Sequence, residues 1–312
     1  MEKKVDVTLG FACNNNCRFC VVADKKDVIK DFSTREAKNA LQRGIDDGAG
    51  GVILTGGEPT VRKDILELVS YARSLGFDDI IIQSNGRMFY YMDFCIRCVR
   101  NGVTIYAFSL HGHKPEIHDH LTRAPGSFKQ TTTGIKNLKS LNQRVVTNTV
   151  ITKQNYKTIP VTAKLLINLG VDQIKFSFPH IMGNALKNLE DVIPTKTEVM
   201  PYVLKGLKRG FRANIPVLIE AIPFCFLKGY ERCCLDIYTP PVEIIGRHTI
   251  IPDFDRIRKL KSKSKGPRCK ECKYYLVCEG PWREYPEIFG WDEFKPVPGK
   301  KVKNIEEIIR MQ

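Results

Sequence analysis

Six of the chain's eleven cysteines fall into two triplets, and those triplets are where its chemistry is most visible. Cys13, Cys17 and Cys20 form one group near the start; Cys269, Cys272 and Cys278 form another near the end. Cys95 and Cys98 make a pair, Cys233 and Cys234 are adjacent, and Cys225 stands alone. Clustered thiols in a reducing compartment read as metal ligands or redox groups rather than disulfides. The cytoplasm is the expected compartment. Met1 to Asp6 is charged and lacks the apolar stretch of a secretory signal, and no run approaches the roughly 18 apolar residues of a membrane helix. Three thiolates on one short loop can hold three corners of a metal centre. A structural zinc wants four ligands, usually as two separated pairs, whereas an iron–sulfur cluster on three cysteines leaves one iron open. Spacing alone leaves both readings standing, with coincidence as a third.

The first triplet needs a scaffold, and the sequence supplies one. Up to about residue 180 a β-rich run alternates with an amphipathic stretch. Val5–Leu9, Val52–Thr55, Ile80–Gln83, Thr104–Leu110, Arg144–Ile151 and Gln173–Phe178 read as strands. A helix is expected from Ser33 or Thr34, with Glu36 placed for capping. Others are expected at Asp64–Leu75, Ile135–Leu141, Val161–Leu169 and Thr197–Arg209, the last with Pro201 in its first turn. Six such units predict an α/β fold with parallel strands and outer crossover helices, either an open sheet or a partial barrel. Ligands then belong at the carboxyl ends of the strands. The unusual residues fall there: Cys13 to Cys20, Gly56-Gly57-Glu58, Ser84-Asn85-Gly86 and Ser109 to His113. Beyond residue 185 the pattern changes to a strand at Ile215–Ile222, a basic run centred on Lys261–Gly266 that reads as a flexible linker, and a short helix at Val302–Met311.

Cys13-Asn14-Asn15-Asn16-Cys17-Arg18-Phe19-Cys20 after the first strand and Gly56-Gly57-Glu58-Pro59 after the second resemble the CxxxCxxC and GGEP motifs of the radical S-adenosylmethionine (radical SAM) superfamily. The resemblance covers roughly residues 5 to 185. It implies a partial (β/α)6 TIM-like barrel over residues 1–212. It also implies a 4Fe–4S cluster on Cys13, Cys17 and Cys20, S-adenosylmethionine (SAM) on its open iron, and an external one-electron donor of flavodoxin or ferredoxin type. Reduction of the cofactor would release a 5′-deoxyadenosyl radical that takes a hydrogen atom from the substrate. By the same resemblance Phe19 covers the cluster, and Gly56, Gly57 and Glu58 receive the methionine ammonium. Ser84, Ser109 and Arg123 reach the cofactor's carboxylate and ribose, and Asn148 is a weaker candidate. Glycines without Cβ allow close backbone approach, and a carboxylate suits an ammonium group. Ser84 and Ser109 could equally cap turns. Four of the six histidines lie between His111 and His120, a possible metal site, with His111 the one expected to face substrate.

Cys269, Cys272 and Cys278 resemble the terminal cysteines of the SPASM and twitch subfamilies. This implies an extension over residues 213–312 with an auxiliary 4Fe–4S cluster. Cys225, at a strand end, is expected as its fourth ligand, and Cys233 or Cys234 is the rival. The chain has six cysteines from Cys225 onward, fewer than the full SPASM pattern needs, so one auxiliary cluster is expected. A three-cysteine site would leave an open iron, as in the molybdenum-cofactor cyclase, and a structural zinc is the plain alternative. Cys95 and Cys98 read as packed thiols. A net charge of +15 suits an anionic partner or a lysine-rich solvated surface. A peptide or protein substrate is expected first and a small anionic metabolite of cofactor biosynthesis second. A nucleic-acid-binding iron–sulfur or zinc module is the remote reading, since it has no use for the GGEP turn; neither nucleic acid nor membrane is expected as a partner.

Overall fold

In β1 (Lys4–Thr8) Val5 and Val7 are buried and alternate with half-exposed neighbours, the period-2 pattern of a strand with one face under helices. The same logic builds β2 (Gly51–Thr55), β3 (Asp79–Ser84), β4 (Ile105–Ser109), β5 (Arg144–Val150) and β6 (Gln173–Ser177). The structure, a computed structural model, describes residues 2–310. The six strands pair in parallel and in consecutive order. Helices α1 (Thr34–Asp46), α2 (Ile65–Ser74), α3 (Met92–Asn101), α4 (Pro115–Thr122), α5 (Ser127–Ser140) and α6 (Ile159–Asn168) occupy the connections. Ser33 and Glu36 close a capping box at the start of α1, as expected from their spacing.

Two short helices, α7 (Asn184–Lys187) and α8 (Leu189–Val192), precede α9 (Lys196–Arg212). Thr195 and Glu198 form a second capping box there, which starts the helix early enough to put Pro201 inside it rather than in the first turn. The chain then adds β7 (Val217–Glu220), β8 (Val242–Gly246) and β9 (Thr249–Ile251).

The sheet order is β7-β6-β5-β4-β3-β2-β1-β8-β9, with only β9 antiparallel. The α/β class and partial-barrel architecture stand, but eight parallel strands replace the expected six. β7 pairs with β6, and β8 returns to pair with β1 from Lys4↔Val242 to Val7↔Ile245. Residues assigned to the extension therefore supply both flanks of the barrel's sheet.

The remainder holds α10 (Phe254–Ile257), α11 (Glu284–Phe289) and α12 (Ile305–Ile309). The last lies within the expected terminal helix; Met311 is outside the described residues. The basic run is not a linker. Arg258 is buried on Glu279 at 2.8 Å and Asp255 at 2.6 Å. Lys263 is buried, 3.0 Å from Asp236 and over the Trp282 ring. Charges that find partners order a segment whose composition alone looked mobile.

Candidate functional site

A cavity of about 450 Å³ opens at the carboxyl ends of the strands. Cys13, Cys17, Cys20, Phe19, Gly56, Gly57, Ser84, Ser109, His111 and Asn148 all line it, so the fold gathers these expected residues into one place. The cysteine loop is held from four sides. Gly57 N–H donates to Gly10 O and Glu58 N–H to Ala12 O, both at 2.8 Å. Arg87 donates to Asn15 Oδ1 at 2.9 Å. Asn16 and Arg18 N–H donate to the carbonyls of Thr122 and Leu121. Asn184 donates to Cys17 O at 2.9 Å, and Asn188 to Arg18 O at 3.0 Å. Burial first, and then the neighbouring thiols Cys20 and Cys13, push the Cys17 thiol far above its ordinary value. Asn15 N–H points at the Cys13 sulfur at 3.4 Å. Three crowded thiols with a donor aimed at one sulfur suit a shared cationic group.

The glycines of the second motif line the cavity and also have a steric reason of their own. A Cβ on Gly56 would lie 2.1 Å from Gly10 O, and one on Gly57 2.4 Å from the carbonyl oxygens of Phe11 and Ala12. The close neighbour is the cysteine loop's own backbone. The Glu58 carboxylate is hydrogen-bonded within the chain on both oxygens. It is buried beneath the cavity and does not line it; Oε1 accepts from Thr60 N–H (3.0 Å), Thr60 Oγ1 (2.6 Å) and Ser84 Oγ (2.8 Å), and Oε2 from Asn85 N–H (2.6 Å). Burial raises its carboxyl above the usual range while these donors pull it back. Ser84 in turn accepts from Gly86 N–H at 2.9 Å, the turn-capping alternative.

Arg123 is not gathered with the others. It stands outside the cavity, exposed beside Arg18, His120 and Asp119, with its guanidinium 3.3 Å from Asn188 Oδ1. The cause is local. Asp119 accepts from Gly126 and Phe128 N–H to start α5, and the chain turns outward at Arg123 with φ 51°. The histidines do not gather around a metal either. His111 and His118 stack in parallel 5.6 Å apart, and the Nδ1 of each accepts a backbone N–H, from Val150 and His111 respectively. Burial holds both below the ordinary histidine range, His118 at about 3, so both are neutral. His111 packs edge-on against Phe19 at the cavity wall.

Several lining residues went unread in the sequence. Lys175 and Ser177 occupy the inward positions of β6, alternating with buried Ile174 and Phe176, a period-2 signal that could have exposed them. Lys175 pairs with Glu220 at 2.8 Å, and Ser177 Oγ lies 2.7 Å from Glu220 and 2.6 Å from Asn148 Oδ1. Burial pushes the Glu220 carboxyl up, but the charge and hydrogen bond of Lys175, the Ser177 hydroxyl and the more distant Lys263 together hold the group at about 2. His180 stacks on Trp282 at 3.6 Å with Nδ1 2.8 Å from Glu284. Trp282, far along the chain, closes this side of the cavity. Behind it the Lys196 ammonium lies between the Phe178 and Tyr285 rings, 3.5 and 3.3 Å from their centroids.

Cys225, Cys269, Cys272 and Cys278 line a second, separate cavity together with Lys265, Tyr274, Tyr275 and Lys295. Burial, then Cys278, Cys272 and Cys269, push the Cys225 thiol up. Burial lifts Cys278 to about 11 against N–H groups of Phe224 and Gly280. Val297 N–H points at the Cys272 sulfur at 3.3 Å. Cys233 and Cys234 are buried and do not line this cavity, Cys234 bridging to Ile219 of β7. Cys95 and Cys98 are buried on α3, as expected of packed thiols. Among the described residues no group of three or more His, Cys, Asp or Glu is gathered tightly enough for a single metal ion, and no helix is long and apolar enough to cross a membrane.

The motifs, the parallel sheet and the cavity at its carboxyl edge agree with the comparisons. The family model described as "Radical SAM superfamily" matches residues 7–166, and the chain belongs to that superfamily of enzymes. Membership carries a requirement for a 4Fe–4S cluster, SAM and an electron donor. An AdoMet-dependent heme synthase of Methanosarcina barkeri is 30% identical over 95% of this chain and 96% of its own length. Another protein of that name, from Oleidesulfovibrio alaskensis, is 31% identical, but the match spans only 51% of this chain and 41% of that one. A probable GTP 3′,8-cyclase of Sulfurisphaera tokodaii is 27% identical over 72% of this chain and 75% of its own. Streptococcus suis SuiB shares the fold with a TM-score of 0.62, at 16% identity over 84% of this chain and 62% of that one.

Proposed function

We propose that this protein is a radical SAM enzyme of cofactor biosynthesis acting on a small anionic substrate, with the heme-forming activity named for its M. barkeri relative as the leading candidate. The observation that carries this is a match covering 95% of this chain and 96% of its relative. It promotes the small-molecule reading over the peptide one, because the likeness to SuiB, at 16% identity, speaks to fold alone.

Cys13, Cys17 and Cys20 would hold the catalytic cluster, with SAM against Phe19, Gly56, Gly57, Ser84 and Ser109. Cys225, Cys269, Cys272 and Cys278 would hold one auxiliary 4Fe–4S cluster in the extension, residues 213–312. A structural zinc on the same four cysteines is the alternative, and metal analysis of the purified protein separates the two. When bound, cluster and SAM supply a deoxyadenosyl radical that removes a hydrogen atom from the substrate. The chain's own residues shape the rest. Phe19 and His111 wall the cavity, and Lys175 with Glu220, Ser177 and Asn148 gives its far side a fixed polar pattern for an anionic substrate to meet.

The test is 5′-deoxyadenosine formation by the anaerobically reconstituted protein. An iron tetrapyrrole bearing carboxylates, GTP and short unmodified peptides are offered in turn. The tetrapyrrole is expected to stimulate formation above the substrate-free background. Stimulation by peptides alone would return the assignment to peptide modification.

A further inference from the structure

Between residues 256 and 303 stand fourteen basic and six acidic side chains, a net +8 of the chain's +15 in less than a sixth of its length. The acids of this segment are largely occupied. Glu279 is held by Arg258, Glu284 by His180, and Glu293 by Tyr285 and Thr197. In the loop from Cys269 to Cys278 only Glu271 opposes the positive charge. The lysines are built around that loop rather than scattered. Lys265 and Lys295 line the cysteine cavity itself. Lys265 Nζ donates to Tyr275 O at 2.6 Å, and Lys301 Nζ donates to the carbonyls of Lys270 and Cys272. Lys273 lies over the Tyr274 ring at 4.7 Å. At the centre Tyr275 and Leu276 are 37% and 58% exposed.

One segment beside the first triplet is balanced by contrast. Residues 23 to 31 carry Lys25, Lys26 and Lys30 against Asp24, Asp27 and Asp31. We infer that the face formed by the Cys269–Cys278 loop and residues 295–303 docks an acidic one-electron carrier protein. A basic rim around a small apolar centre, directly over a thiol-lined cavity, is what a transient redox partner of opposite charge requires. The carrier gives up one electron and the protein's iron–sulfur centres take up one, with no bond made or broken. The role rests on the reading that Cys225, Cys269, Cys272 and Cys278 hold a redox centre.

The probe is a recombinant acidic flavodoxin. Its oxidised form is titrated against reconstituted protein, and its hydroquinone is mixed with the same protein in an anaerobic stopped flow. Binding and reduction should both weaken as salt is raised. The combined change Arg268→Glu, Lys270→Glu and Lys300→Glu should lower affinity and rate about tenfold or more and flatten the salt dependence. A matched reversal on the barrel exterior, Lys164→Glu, Lys208→Glu and Arg209→Glu, should change neither. Iron content separates the two layers of inference. Flavodoxin binding at this face by a protein with iron for one cluster would keep the docking site and remove the auxiliary cluster. Equal effects from both reversals, or an RNA oligomer bound at this face while flavodoxin reduction ignores the reversal, would overturn the proposal.

Discussion

Glu58 shows what a motif can and cannot say about a single residue. Its type and place were legible, because a carboxylate after two glycines at a strand end is rare and specific. Its direction was not, because nothing in Gly56-Gly57-Glu58-Pro59 shows that Thr60, Ser84 and Asn85 will converge on both oxygens. The structure makes Glu58 an anchor joining the β2 and β3 turns beneath the cavity. The placement of Arg123 was illegible for a similar reason, since a left-handed residue after a helix points where its neighbours' hydrogen bonds send it. Glu58→Gln tests the anchor. The amide replaces one accepting oxygen with an N–H₂ that faces a donor, so a buried hydrogen bond gives way to repulsion between two donors, at a cost of about 1–3 kcal/mol. Thermal unfolding of the iron-free protein should show that loss. An unchanged melting midpoint together with weaker SAM binding would restore the direct-ligand role.

At the scale of elements, the first seven strands and about half of the helices were readable because their patterns are local. Period-2 burial, the Ser33–Glu36 box and the apolar stripe of α2 need no knowledge of the rest of the chain. Elements that depend on neighbours were read short or missed. Only the second half of α5 was anticipated. Its first half runs through Thr131, Thr132, Thr133 and Gly134, poor helix formers, and Gly134 is there because a Cβ would lie 2.9 Å from Gly86 O and from the Phe89 Cβ. The same steric logic governs the catalytic loop. Gly57→Ala would drive a methyl group into the carbonyls of Phe11 and Ala12, and those peptides lead straight into Cys13. The loop must shift, and three thiols placed for one centre then lose their common geometry. The reconstituted variant should retain only the iron held by the second cysteine group, read by iron analysis and the spin signal of the reduced protein. Full iron content would show that the loop tolerates the displacement.

For the whole molecule the instructive difference is the role of residues 213–312. A change of pattern near residue 185 and a second cysteine group read as a core plus an appendage. The sheet runs through that division. β7 covers the free edge of β6, and β8 covers that of β1. Glu243 of β8 is buried against Arg43 at 3.0 Å and Lys3 at 3.5 Å, and Arg247 reaches Glu36 and the Asp31 carbonyl. Around the cavity Glu220, Trp282 and Glu284 partner Lys175 and His180, while Tyr285 covers Lys196. Pairing between strands more than 200 residues apart leaves no local trace, which is why the closure by β8 went unread. A fragment ending at Arg212 would expose two long parallel edges and strip the partners from Lys175, His180 and a fully buried Lys196. Unpaired edges of that kind template aggregation. Expressed alone, residues 1–212 should therefore fail to give a soluble monomer with a cooperative unfolding transition, by size-exclusion chromatography and thermal circular dichroism. A fragment that stays monomeric and melts cooperatively would make residue 212 a true domain boundary and reduce the extension to an attachment.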